Sequence, residues 1–320
     1  MTGGQQSLTP FLGLLRCPAS GGALTLGEGV LATTLDGGHY RLNAAGVPLF
    51  AESRLSADAE VQRAHYDRVA AAYIANLAYP HTQEYLAYLD RILLETAGER
   101  ELGTVAEICC GRGEALDLFG ARINRYVGVD ISENMLMAAL GQCRHPNARF
   151  VQGDATRLPL ADAGFDTVVM LGGVHHVGAR AALFSEIARI LKPGGLFFYR
   201  EPVDDFWLWR ALRAVIYRLS PALDHTTERP LRFEETVPVL RTAGLESEAY
   251  RTCGFIGFCL FMNSDVLIFN RLFRFLPGIR AITRATAALD DRLLALPPLK
   301  RAGLQVVGIA RKPSASEGPA

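Results

Sequence analysis

The sequence carries no charge surplus of either sign, since 33 basic residues balance 33 acidic ones. A chain whose main ligand is a nucleic-acid backbone usually has a basic excess, so a nucleic-acid partner is not expected. Cysteine is sparse and irregularly spaced. Cys17, Cys109, Cys110, Cys143, Cys253 and Cys259 form neither a disulfide framework nor a complete zinc set. Free thiols point to a reducing compartment, and a cytoplasmic location is expected. A long unbroken apolar run is also missing. The nearest, Phe255 to Leu276, is interrupted by Asn263, Ser264, Asp265, Asn270, Arg271 and Arg274, groups costly in hydrocarbon, which argues against a spanning helix. No basic-then-apolar signal opens the chain, and no internal repeat is visible.

Core-forming material is plentiful: hydrophobic residues make up 49% of 320. Residues 8–55 read as a small β-rich domain with Gly-rich turns, and 56–313 as a larger α/β domain beginning with an Ala-rich helical stretch. Residues 1–7, which resemble an expression tag (MTGGQQ), and the polar tail 314–320 are expected to be disordered.

Strand and helix signals alternate across 103–200. Thr104–Cys109 is a short apolar run followed by Cys110-Gly111-Arg112-Gly113. Tyr126–Asp130 is a second strand ending in an acid, and Ser132 is placed to cap the next helix. Ala148–Gln152 reads as a third strand, running to Asp154. Phe165–Leu171 is a fourth, nearly all apolar as befits a strand covered on both faces. A helix over Ala179–Leu191 stops at Lys192-Pro193-Gly194-Gly195, and Leu196–Arg200 is the fifth strand. This spacing implies parallel strands joined by right-handed crossovers.

Ligands of such sheets sit at the carboxyl ends of the strands. Gly111, Asp130 and Asp154 lie at three successive ends. Glycines at 111 and 113 allow a tight turn and close backbone approach. An acid after the second strand can accept two ribose hydroxyls, and one after the third can accept an adenine amine. Singly, a GxG loop is mostly a turn and a strand-ending Asp mostly a cap; three such features at consecutive ends are hard to obtain by packing alone.

The block resembles the class I, Rossmann-like S-adenosylmethionine-dependent methyltransferases. VAEICCGRG (Val105–Gly113), VGVDISENML (Val127–Leu136), QGDATRLP (Gln152–Pro159), FDTVVMLGGVHHV (Phe165–Val177) and LKPGGL (Leu191–Leu196) match that family's motifs in order. Upstream, HYDRVAAAY (His65–Tyr73) resembles the helix whose aromatic residues close over the methionine end of the cofactor. The resemblance implies a seven-stranded, mostly parallel sheet with helices on both faces. It implies S-adenosylmethionine as cofactor, with S-adenosylhomocysteine as product and no metal. The implied cofactor residues are Tyr66, Tyr73, Glu107, Gly111, Gly113, Asp130, Ile131, Asp154, Ala155 and Leu171. Glu107 stands where the family usually has Asp; it can orient the loop or hold the cofactor's ammonium group.

His175 and His176 follow the fourth strand, where the fold brings residues near the reactive methyl. Imidazole titrates in the neutral range and can act as a base, so both are catalytic candidates; the plain alternative is that one packs and the other bonds the cofactor. Glu201 follows the fifth strand and could orient an acceptor, while Tyr199 and Arg200 read as scaffold.

Two stretches are long for this fold, about 202–232 and about 255–298. Leu245–Thr252 and Leu299–Arg311 would be the sixth strand and the antiparallel seventh, so both stretches leave from the cofactor end and can form a helical cap. The cap is rich in aromatics (Phe206, Trp207, Trp209, Phe255, Phe258, Phe261, Phe269, Phe273, Phe275) accompanied by arginines. Three readings stand: an ordinary cap core, an apolar acceptor pocket, and a face for a membrane surface or a second copy. Oligomeric state is left open.

Leu14–Phe50 has a second resemblance, to the small zinc-ribbon activators of tRNA and protein methyltransferases, through Cys17-Pro18, Gly22-Ala23-Leu24, His39-Tyr40 and Gly46-Val47-Pro48. Ser20 stands where the second cysteine belongs, and one thiolate with His39 cannot close a tetrahedral site, so a metal-free relic is expected. The function expected from the whole is methyl transfer to a small or medium acceptor, with a hydrophobic one favoured by the cap. The alternatives are an RNA or protein methyltransferase, suggested by the N-terminal block, and a non-catalytic S-adenosylmethionine-binding scaffold.

Overall fold

Alternation of buried residues along the central strands decides the architecture. The computed structural model describes residues 6–33, 35–51, 55–64, 67, 77–211, 229–262 and 268–314. In the first strand of the main sheet, Ala106 and Ile108 face one core and Val105 the other, as a strand with two buried faces requires. The main sheet contains β4 (Gly103–Ile108), β5 (Ile123–Asp130), β6 (Ala148–Gln152), β7 (Phe165–Leu171), β8 (Leu191–Pro202), β9 (Glu246–Cys253) and β10 (Gln305–Arg311). Their order is β6-β5-β4-β7-β8-β10-β9. β4 to β8 pair in parallel, and β10 lies antiparallel between β8 and β9. This is the Rossmann-like methyltransferase fold expected from the sequence.

Helices cover both faces. Helix α1 (Pro80–Ala97), α2 (Glu114–Phe119), α3 (Glu133–Gln142), α6 (Ile256–Phe261) and α7 (Ile279–Leu294) contribute to one core; α4 (Arg180–Ile190) and α5 (Phe233–Thr242) contribute to the other. Helix α3 begins as its sequence suggests, with the Ser132 hydroxyl accepting the Met135 N–H at 3.3 Å. Buried Arg200 ties α1 and α2 to β8 through Asp90 and, at 3.1 Å, Glu114.

Two strand limits differ most from expectation. β8 starts at Leu191 because Leu191 already pairs with Phe165, ahead of the Gly194 turn at φ +80°. β10 starts only at Gln305, since Pro297–Leu299 forms a 3-10 turn and the Trp209 indole binds the Ala302 carbonyl at 2.7 Å.

The N-terminal residues form a three-stranded antiparallel sheet of β1 (Thr25–Leu26), β2 (Val30–Ala32) and β3 (His39–Arg41). Its Leu8, Phe11, Leu15, Leu31 and Tyr40 share a core with Val127, Val151 and Leu183. The same block closes the β6 edge. Leu49 bridges Gln152 in parallel, and the Gln6 side-chain amide bonds both the N–H (3.0 Å) and the carbonyl (2.8 Å) of Phe150. An edge strand otherwise left open to another chain is thereby paired. Where a zinc ribbon would hold metal, buried Cys17 Sγ lies 3.0 Å from the Tyr40 hydroxyl and 3.6 Å from Asp36, and accepts the Ser20 N–H at 3.4 Å. His39 is exposed on the opposite side of β3 from Tyr40, so it does not share a site with Cys17. Among the described residues no group of three or more His, Cys, Asp or Glu could hold a metal ion.

Candidate active site

The carboxyl ends of β4, β5, β6 and β7 open onto one crevice. Ile108, Cys109, Asp130, Ile131, Asp154, Ala155, His176 and Val177 line it. Of the expected cofactor residues, Asp130, Ile131, Asp154 and Ala155 are therefore brought together.

The loop after β4 turns sharply, with Cys109 at φ +52°, Gly111 at φ +50° and Gly113 at φ +83°. Gly111 and Gly113 need glycine's access to the left-handed region. The Gly111 N–H donates to Asp130 Oδ2 (2.8 Å) and the Ser132 N–H to Oδ1 (2.9 Å). Burial raises the Asp130 pKa, opposed by the backbone N–H groups of Ser132, Gly111 and Ile131. Asp154 behaves in the opposite sense. Burial pushes it up, but donors from Ser56 and Thr156 outweigh that and hold it below the usual carboxylate range. Those donors are the Ser56 N–H on Oδ2 (2.8 Å) and the Thr156 N–H and hydroxyl on Oδ1 (2.8 and 2.7 Å).

Glu107 lies beneath the loop. Its buried carboxylate accepts the Ala115 N–H at 3.1 and 3.2 Å and the Tyr126 hydroxyl at 2.5 Å. Of the two roles its position suggested, this geometry serves loop orientation; Glu107 is not among the crevice-lining residues. Burial pushes its pKa up to about 8, against the hydrogen bonds from Tyr126 and Ala115. A carboxyl whose folded pKa lies above its unfolded value destabilises the fold progressively as pH climbs between the two. Wild-type protein should thus lose stability relative to Glu107→Gln from pH 4.5 to about 8, and no further above. Urea unfolding of both proteins across this window checks it; parallel curves would show that Glu107 ionises freely.

Residues upstream of the sheet roof the crevice. Ser56, Asp58, Ala59 and Gln62 line it. The Ser56 hydroxyl caps its own helix by accepting the Ala59 N–H (3.3 Å), Asp58 accepts the Gly178 N–H (2.8 Å), and Asp67 accepts the Ser132 hydroxyl (2.5 Å). Tyr66 and Tyr73 lie outside the described residues. The closure of Ser56 and Asp58 onto Asp154 and Gly178 was not visible in the sequence. Leu171 ends β7 half-buried and does not line the crevice.

Beyond β7 the two histidines differ. His176 lines the crevice, and the His175 ring lies against it at 3.8 Å between centroids. His175 Nδ1 is 2.8 Å from Glu201 Oε2. Glu201, 0% exposed, also accepts the N–H groups of Gly173 and Val174 on Oε1, both at 2.8 Å, and that of His175 at 3.3 Å. One carboxylate thus shapes the loop and orients the imidazole. Gly173 is obligatory there, since a Cβ would sit 2.7 Å from Cys109 Cβ.

With this geometry in view, residues 106–199 match the family model described as "Methyltransferase domain". This stretch is similar to a methyltransferase domain. The chain is 38% identical over 112 residues to the demethylmenaquinone methyltransferase of Beutenbergia cavernae, 35% of this chain and 45% of that protein. It is 30% identical over 162 residues to the phthiotriol/phenolphthiotriol dimycocerosates methyltransferase of Mycobacterium tuberculosis, 49% of this chain and 57% of that one. The chain therefore spans about half the length of these relatives. Among solved structures, the [4+2]-cyclase SpnF superposes with a TM-score of 0.56 at 18% identity, covering 82% of this chain and 98% of that chain. That likeness concerns the fold, which does not itself fix chemistry.

Proposed function

We propose that this protein transfers the methyl group of S-adenosylmethionine to an apolar, lipid-like acceptor, with His175 as the base. The observation that carries the reading is the convergence of Asp130, Asp154 and the Cys109 turn on one crevice, with the Gly111 N–H bonded to Asp130 and an imidazole held by a buried carboxylate alongside. The named activities of the relatives, on demethylmenaquinone and phthiotriol dimycocerosates, support an acceptor of this class.

The residues fit an adenosyl group. Asp130 Oδ2 accepts the Gly111 N–H and Oδ1 the Ser132 N–H, and a carboxylate with about four lone-pair sites can still accept ribose hydroxyls. Asp154 Oδ1 is filled by Thr156, but Oδ2 has only Ser56 and can accept an exocyclic amine. The bare loop at Gly111 and Gly113 admits the rest of the ligand. When bound, S-adenosylmethionine supplies an electrophilic methyl on a sulfonium. His175 takes the acceptor's proton at Nε2, and Glu201, facing Nδ1, stabilises the imidazolium that results. The balance leaves a methylated acceptor, a neutral thioether and one proton on the enzyme.

Asp130→Ala should weaken binding of S-adenosylhomocysteine by about 2–3 kcal/mol, the scale for losing two charge-assisted hydrogen bonds. Calorimetry finding unchanged affinity would remove Asp130 from the ribose. The activity itself is tested by label transfer from methyl-labelled cofactor to a panel of detergent-dispersed quinols and long-chain alcohols, with water-soluble phenols alongside. Turnover confined to the soluble phenols would overturn the lipid-like assignment, and tight cofactor binding with no transfer to any acceptor would favour a scaffold.

A further inference from the structure

Large apolar side chains stand in solvent mainly at one part of this molecule. Among the described residues fourteen are exposed, and ten of them lie at 207–208 or 256–296, so the exposure belongs to the cap and is not scattered. Its densest part is the 3-10 helix Ile268–Phe275 with the turn into α7. There Asn270 is buried and Phe273 packs against His81 and Phe261, while Leu272 is 65% and Phe275 68% exposed, followed by exposed Leu276 and Ile282. The helix is therefore two-sided, and its outer apolar side has no counterpart within the described chain. Isolated exposed leucines are ordinary; a run of them beside an exposed phenylalanine is an interaction face.

The charge around this face is mainly basic, although Arg280 and Arg284 pair with Glu84 of α1 at 3.6 and 3.0 Å. Residues 268–296 contain five arginines (271, 274, 280, 284, 292) and two acids, Asp290 and Asp291, in a chain whose overall charge is zero. Asp290 is wholly buried, and Asp291 is engaged by Tyr88 and Arg91. The Arg274 guanidinium lies over the Phe275 ring at 4.7 Å and the Tyr79 ring at 5.2 Å. Arginine beside aromatics, above exposed aliphatic groups, suits the boundary between acyl chains and phosphate headgroups. No helix among the described residues is long and apolar enough to cross a membrane.

From this apolar face and its arginine rim we infer that the cap docks on an anionic bilayer surface, lying on the membrane with Leu272, Phe275, Leu276 and Ile282 inserted. The inference deepens the proposed function, since an acceptor confined to the bilayer would be met from its surface. Topology agrees. The cap departs after Cys253 and returns at Gln305, which pairs with both Cys253 and Pro202. That is the sheet end at which the crevice opens.

Co-sedimentation with vesicles tests it without any acceptor. The full chain should bind vesicles containing about one-third phosphatidylglycerol, and pure phosphatidylcholine vesicles about tenfold more weakly. Leu272→Ser with Phe275→Ser should lower binding to the anionic vesicles about tenfold or more, and Arg274→Gln should reduce the preference for anionic lipid. Unchanged S-adenosylhomocysteine affinity in each variant would show that the domain is still folded. No sedimentation with either vesicle would overturn the inference. So would self-association in the ultracentrifuge that the double substitution abolishes, because the face would then belong to a second copy. Turnover on detergent-dispersed acceptor without vesicle binding would sink this inference and leave the proposed function standing.

Discussion

Replacing His175 by alanine should lower kcat by about 10²–10⁴-fold, the range for removing a positioned general base, while S-adenosylhomocysteine affinity stays within about twofold, since His175 is not among the crevice-lining residues. His176→Ala should behave differently, disturbing cofactor affinity more than kcat, because His176 lines the crevice. The sharper test is Glu201→Gln. Glu201 Oε1 holds the loop through Gly173 and Val174, whereas Oε2 faces His175 Nδ1. If the amide oxygen keeps the two loop N–H groups, the amide nitrogen must face Nδ1 and donate to it. The imidazole then carries its proton on Nε2 and cannot accept another, a loss by wrong tautomer known to cost orders of magnitude elsewhere. Glu201→Gln should thus fall in kcat nearly as far as His175→Ala, with little change in KM and a modest fall in melting temperature, since the amide nitrogen cannot accept the His175 backbone N–H. Equal activity of Glu201→Gln and wild type would remove the base assignment, and a collapsed fold in both variants would make Glu201 purely structural.

This pair also marks where sequence reading stops. β7 and the end of β5 at Asp130 were legible, because a strand buried on both faces must be a nearly continuous apolar run and the turn after it must be polar or glycine-rich. The Ser132 cap was legible for a similar reason, being a contact over three residues. Glu201 could be placed at a strand end but not joined to His175. The two lie 26 residues apart, and their meeting depends on the register that pairs Leu171 with Arg200. Gln6, set aside with a tag-like segment, bonds Phe150 across 144 positions. Glu107 was assigned to the right loop but left open between two roles; the choice rests on Tyr126 of the neighbouring strand, which local pattern does not reveal. The closing of Ser56, Asp58 and Asp67 over the crevice follows the same rule, since their anchors are tertiary hydrogen bonds.

The largest expected loss of stability comes from Asp290, which no motif announced. It sits within α7, 0% exposed. Its carboxylate accepts the Phe255 N–H (3.0 Å), the Gly257 N–H (2.9 Å) and the Tyr85 hydroxyl (2.8 Å). These donors belong to the start of α6 and to α1, so a single side chain fastens the cap helices α6 and α7 to α1. Burial raises the Asp290 pKa, and the donors that surround it oppose the rise. Asp290→Ala leaves two backbone N–H groups and a phenol buried without an acceptor, each costing about 1–3 kcal/mol, less the relief of no longer burying a carboxyl. The net loss should be about 3–5 kcal/mol, read by chemical denaturation, with a fall in Tm of about 5–10 °C. Asp290→Asn keeps one acceptor oxygen and should lose about half as much. Because Asp290 is not among the crevice-lining residues, S-adenosylhomocysteine should bind the folded variant as it binds wild type. If the Ala variant were as stable as wild type, the cap would be held by its apolar contacts alone, and the hydrogen bonds to Asp290 would contribute nothing net.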